Sequence, residues 1–142
     1  MVIAVIGENC TGKSTLAGKL KEDFNATVYS GKDYLRMAKS PTEAQEIFKN
    51  TLARAVSGDN IIYIISESEH FTVLPEKSFK ILVTAPLEVI KERFAVRMRG
   101  NLPPPVAMML ERNHGKFDDI ACEFHYKGAD DYAALTDKIR SF

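Results

Sequence analysis

Gly7, Gly12, Lys13 and Ser14 stand at the spacing G-x-x-x-x-G-K-[ST], with Glu8, Asn9, Cys10 and Thr11 between them. Residue types in this order suit one task, gripping phosphate. The two glycines let the backbone turn a run of N–H groups, those of Asn9, Cys10 and Thr11 among them, toward an anion without steric cost. Lys13 would reach the β- and γ-phosphates of a nucleoside triphosphate as a point charge, the Ser14 hydroxyl would ligate magnesium, and Thr15 would add an α-phosphate contact.

Such a loop works only between a strand and a helix, because the helix N-terminus adds the positive end of its dipole. Both are legible. Val2-Ile3-Ala4-Val5-Ile6 is a continuous apolar run suited to a strand buried on both faces, and Leu16, Ala17 and Leu20 repeat at helical spacing from Lys13 onward. Further strands are expected at residues 26–29, 61–65, 80–84 and 124–126. Between them, Ser40-Pro41-Thr42-Glu43 reads as a helix start, with an N-cap, a first-turn proline and a capping glutamate. That helix should run to about Ser57 with Ala44, Ile47, Phe48, Leu52, Ala55 and Val56 on one face, and Gly58 as a left-handed C-cap. Pro86 opens another, with a buried stripe of Leu87, Ile90, Phe94 and Met98, broken by Asn101-Leu102-Pro103-Pro104-Pro105. A helix interrupted near Gly115 follows, and Tyr132, Leu135 and Ile139 mark the last one, with Asp130 as its cap. Strands alternating with helices predict an α/β fold, a parallel sheet covered by helices on both faces.

The 142 residues fit a single nucleoside triphosphate-binding domain, 1–142, and 19 acidic residues balance 19 basic ones. Nothing in that balance calls for nucleic acid or an anionic membrane as partner. No apolar run is long enough to span a bilayer and no charged leader precedes the first strand, so a cytoplasmic monomer or homodimer is expected. Cys10 and Cys122 read as free thiols, and His70, His114 and His125 as surface or packing residues, since none has a partner at metal-ligand spacing.

With its phosphate loop, order of elements and arginine-bearing helix, the whole chain resembles the P-loop small-molecule kinases of the nucleoside monophosphate kinase and shikimate kinase (adenylate kinase-like) group. The resemblance implies a three-layer fold with strand order 2-3-1-4-5, substrates above the carboxyl ends of the strands, and a lid. Here the lid would be short, residues 100–105. It also implies ATP and Mg2+ as cofactors. No Asn-Lys-x-Asp and no Asp-x-x-Gly after the third strand point to a GTPase.

Asp33 leaves the second strand on the ligand side, where the family carries an acidic residue near the acceptor hydroxyl or magnesium; as a base it would accept the acceptor's proton. A turn-capping aspartate is the alternative. Glu67, after the third strand, matches the position of a magnesium-side acid, or is an exposed loop glutamate. Arg93 and Arg97, four apart, point the same way on their helix. Planar guanidinium forks there would stabilise charge on a moving phosphoryl group, as the family's lid arginines do; otherwise they form a solvated face pairing with Glu88 and Glu92. Lys32, Tyr34 and Arg36 border the expected acceptor pocket, Lys127-Gly128-Ala129-Asp130 the base pocket, and Arg112 and Asn113 lie across the lid.

The leading expectation is a phosphotransferase moving the γ-phosphoryl group of Mg-ATP to a small acceptor, a nucleotide or another metabolite, with Lys13, Asp33, Arg93 and Arg97 catalytic. Alternatives are a nucleotide hydrolase or switch, and a catalytically silent nucleotide-binding protein.

Overall fold

A computed structural model describes residues 1–142. Strands β1 (Val2–Ile6), β2 (Thr27–Ser30), β3 (Ile61–Ile65), β4 (Phe79–Val83) and β5 (Phe124–Tyr126) alternate with helices α1 (Lys13–Phe24), α2 (Pro41–Ala55), α3 (Leu87–Arg97), α4 (Pro104–Asn113) and α5 (Tyr132–Arg140). The sheet is entirely parallel in the order β2-β3-β1-β4-β5, as the family resemblance implied.

Alternation along β1 explains the two faces. Ile3 and Val5 point into one apolar layer with Leu16, Ala17 and Leu20 of α1 and Leu135 and Ile139 of α5. Val2, Ala4 and Ile6 point into the other, with Phe48, Leu52 and Ala55 of α2 and with Phe117. Because successive strand side chains alternate, β1 and β3 read as unbroken apolar runs once both faces are covered. A third, smaller cluster joins α3 and α4 to the phosphate loop: Cys10, Ile90 and Leu110, flanked by Leu87, Phe94 and Leu102.

Several local expectations are corrected. Helix α2 ends at Ala55 with Val56 still right-handed, and Gly58 is absent from the residues with positive φ. Gly58 N–H closes a tight turn on the Ala55 carbonyl instead. Ile47 and Met98, assigned to buried stripes, are 42% and 38% exposed. Ser40 does cap α2, its hydroxyl accepting from Glu43 N–H at 3.5 Å, with Pro41 in the first turn. Asp131, rather than Asp130, holds the loop after β5, its carboxylate accepting from Lys127 N–H at 2.8 Å. The short lid is the link of an α-helical hairpin: Arg99 and Gly100 take left-handed φ of 62° and 86° and reverse the chain, Pro103 precedes α4, and Lys91 pairs with Glu111 across the two helices.

Above β2 and β3, Phe48 packs its ring against Tyr29, Tyr34 and Tyr63 at centroid distances of 5.1, 5.4 and 4.9 Å. Tyr63 also donates its hydroxyl to the Gly31 carbonyl at 2.7 Å, fastening the segment that carries Asp33. Phe48→Ala is therefore expected to cost about 3–5 kcal/mol in urea unfolding. A loss below about 1 kcal/mol would show that the ring cluster does not hold this corner together.

Candidate active site

The loop geometry follows from close approach. A Cβ on Gly7 would lie 2.5 Å from the Val83 carbonyl oxygen, and Gly12 has a φ of 99°, so both positions demand glycine. Cys10 is left-handed at φ 64° and its side chain is buried against Ile90 and Leu110. It is a free thiol that serves as a packing anchor between the loop and the α3–α4 hairpin.

Lys13 is only 7% exposed. Its ammonium donates to the Glu8 carbonyl, which also accepts from Thr11 Oγ1 at 2.9 Å. Burial is the main reason its pKa falls to about 8, with the positive charges of Lys116 and Arg97 adding to the fall while Cys10 and Glu8 oppose it. A cluster of positive charge with few counterions is what a polyphosphate would neutralise.

A cavity of about 150 Å³ brings together Asn9, Cys10, Gly12, Lys13, Ser14 and Thr15 with Ser30 and Ser66 from the ends of β2 and β3, and with Arg97. A larger cleft of about 720 Å³ shares Cys10, Gly12, Thr15 and Arg97 and extends to Arg93 and to Lys127, Gly128 and Ala129 after β5. The larger lies within the size range of small-molecule pockets. Neither Arg93 nor Arg97 pairs with Glu88 or Glu92. Arg93 donates instead to the Cys10 carbonyl at 3.0 Å, lying across the loop itself.

The two predicted carboxylates stay outside this convergence. Asp33 is exposed and its Oδ2 accepts from Ser30 N–H at 2.9 Å, bracing its own turn. Glu67 has a side chain 60% exposed and faces Lys116 at 3.7 Å. The donor set still fits Mg2+, which is commonly held by one or two protein oxygens together with phosphate oxygens and water. Ser14 is exposed within the small cavity and Glu67 follows Ser66 at its rim. Among the histidines, His125 shares a hydrogen bond with Thr84 at 2.7 Å, and His70 is buried against Tyr34 and Tyr63 with neither ring nitrogen hydrogen-bonded and Nε2 3.7 Å from Glu69 Oε1.

Sequence reasoning missed Glu8, His114, Gly115 and Lys116. Glu8 fills an x position of the loop pattern, yet it is buried, and its carboxylate accepts from Gly115 N–H at 3.0 Å and sits 3.2 Å from His114 Nδ1. The only available signal was an acid in a loop built for anions.

No family model matches the sequence, and no match is found among curated proteins. Solved structures do match. An uncharacterized protein from Eubacterium ventriosum ATCC 27560 superposes with a TM-score of 0.65 at 16% identity, over 99% of this chain and 96% of that one. A sugar kinase from Janibacter sp. HTCC2649 gives 0.64 at 18% identity, over 95% and 92%. Shikimate kinase from Bacteroides thetaiotaomicron gives 0.58 at 12% identity, over 99% and 95%. The fold is that of P-loop small-molecule kinases. Within this P-loop fold, the phosphate loop and the arginine helix meet at the carboxyl edge of the sheet, where open α/β sheets bind ligands.

The state of Lys13 has a measurable consequence. Between pH of about 8 and its usual value of 10.5, the folded chain has released this proton while the unfolded chain keeps it, so Lys13 makes stability rise with pH across that window. Lys13→Met should stabilise the protein at pH 7 by about 1–3 kcal/mol and flatten that rise in urea unfolding at pH 7, 8.5 and 10. Equal stability of the two proteins at pH 7 would mean that the ammonium is well solvated.

Proposed function

We propose that the chain is a phosphotransferase that moves the γ-phosphoryl group of Mg-ATP to a small-molecule acceptor. The observation that carries this reading is the meeting of Lys13, Ser14 and Arg97 in one small cavity that shares part of its lining with a larger cleft. Transfer between oxygens needs little covalent help from a protein; it needs positioning and fixed positive charge around the moving group. Loop amides and Lys13 would hold the β- and γ-phosphates, with Arg93 fixed to the loop and Arg97 reaching over it. Ser14, with Glu67 acting through water, would hold Mg2+, which would supply charge neutralisation on the phosphates. The nucleoside would lie along Lys127, Gly128 and Ala129.

The acceptor would approach over the ends of β2 and β3, where a cavity of about 450 Å³ is lined by Lys32, Tyr34, Gln45, Glu69 and His70 among others. Asp33 would serve as base from the turn beside it once an acceptor hydroxyl competes for its carboxylate. Its present bond to Ser30 favours, as second reading, a nucleotide-binding protein without transfer or one that only hydrolyses. Those readings predict no acceptor-dependent ADP formation and no effect of Asp33→Asn.

An acceptor screen that follows ADP formation with Mg-ATP, beside a control without acceptor, tests the class. Lys13→Ala should abolish transfer while the chain stays folded, and wild-type turnover in that variant would remove the loop from the mechanism. Arg97→Ala should lower turnover by on the order of a hundredfold or more with little change in the ATP concentration for half-saturation. An unchanged turnover number would return Arg97 to the solvated surface.

A further inference from the structure

The segment after α4 is docked on the phosphate loop through Glu8. Glu8, a side chain of the loop itself, is 8% exposed, and its two carboxylate oxygens meet the segment at two points, Gly115 N–H at 3.0 Å and His114 Nδ1 at 3.2 Å. A carboxylate only accepts, so the proton of this second bond sits on Nδ1. Gly115 is left-handed at φ 81°, and a Cβ there would also come within 3.0 Å of Asp118 Oδ2, so the turn admits little but glycine. Beyond the turn Phe117 is 3% exposed and packs on Phe71 at 5.7 Å. Lys116 is thus fixed at its root from both sides.

Its head makes two contacts, neither of them a hydrogen bond. The ammonium lies 3.7 Å from Glu67 Oε2 and 5.0 Å from the centroid of the Phe117 ring. Glu67 is largely exposed, and an exposed ion pair of this length holds a lysine weakly. Glu67 directly follows Ser66, which lines the phosphate cavity with Lys13. Lys116 also belongs to the positive field acting on the Lys13 ammonium.

We infer that Glu8 is a positioning residue whose grip on His114 and Gly115 delivers Lys116 to the terminal phosphate of the bound nucleotide. The inference rests on the nucleotide-binding part of the function proposed above and extends it. Without nucleotide, Lys116 is parked on Glu67; with a triphosphate in the loop, the ammonium exchanges that exposed carboxylate for the γ-phosphate. This leaves Glu67 free to face the metal side. A diphosphate ends short of this cation, so the device favours triphosphate over diphosphate.

Calorimetric titration of the full chain with Mg-ATP and with Mg-ADP tests it. Lys116→Met should weaken Mg-ATP about tenfold and change Mg-ADP less than about twofold. Glu8→Ala should reproduce that selective loss without touching Lys116, and the Glu8→Ala/Lys116→Met double variant should lose no more of the ATP preference than Lys116→Met alone. Glu8→Gln, which keeps one accepting oxygen, should recover part of it. Should Glu8→Ala fail to fold, His114→Ala removes one of the two bonds from an exposed side chain and should give a smaller loss of the same kind. A merely structural Glu8 would lower both affinities equally, which overturns the inference, as does an unaltered ATP-to-ADP ratio in Lys116→Met or equal affinities in the wild type. A chain that shows the selective loss but phosphorylates no acceptor would sink the transferase reading and leave this one standing.

Discussion

Everything at the carboxyl edge of the sheet depends on an ammonium group held out of water. The Lys13 head forms no ion pair; it leans on the Glu8 carbonyl, and the repulsion of Lys116 and Arg97 is set against the attraction of Cys10 and Glu8. Leaving a charge so poorly compensated costs folding free energy. The fold tolerates it because the strands beneath are packed on both faces, with residues 2–6 at no more than 1% exposure. Stability made in the two apolar layers offsets the cost of this buried charge.

The elements divide the labour in a way their packing explains. α1, α2 and α5 cover the sheet and belong to its two large clusters. α3 and α4 touch it little and instead form a hairpin bound to the loop through Cys10, Ile90 and Leu110. The arginines ride on the hairpin, which is packed apart from the sheet's two large layers but is fastened to the loop.

Much of this was legible in the residues. Unbroken apolar runs gave β1 and β3, the Ser40-Pro41 start gave α2, and the i, i+4 spacing of Arg93 and Arg97 put both arginines on one face of α3. Helix ends and single exposed positions were less legible: Gly58 was read as a cap from its type alone, although a right-handed turn closes there without one. The Glu8 clasp was out of reach for a different reason. It joins residues more than a hundred positions apart, and neither periodicity nor capping chemistry records such a pairing. For Asp33, position alone pointed at the cleft, whereas the short loop offers its carboxylate a nearer N–H.

The left-handed Cys10 has a mechanical corollary. Its thiol is wedged into the hairpin while its carbonyl is gripped by Arg93, so the middle of the loop is tethered at both the side chain and the main chain to α3. A tilt of that helix pair would drag the peptide on either side of Cys10 with it. The direction in which the loop's amides aim is therefore geared to the pose of the hairpin, and a shift of one retunes the other in the same stroke.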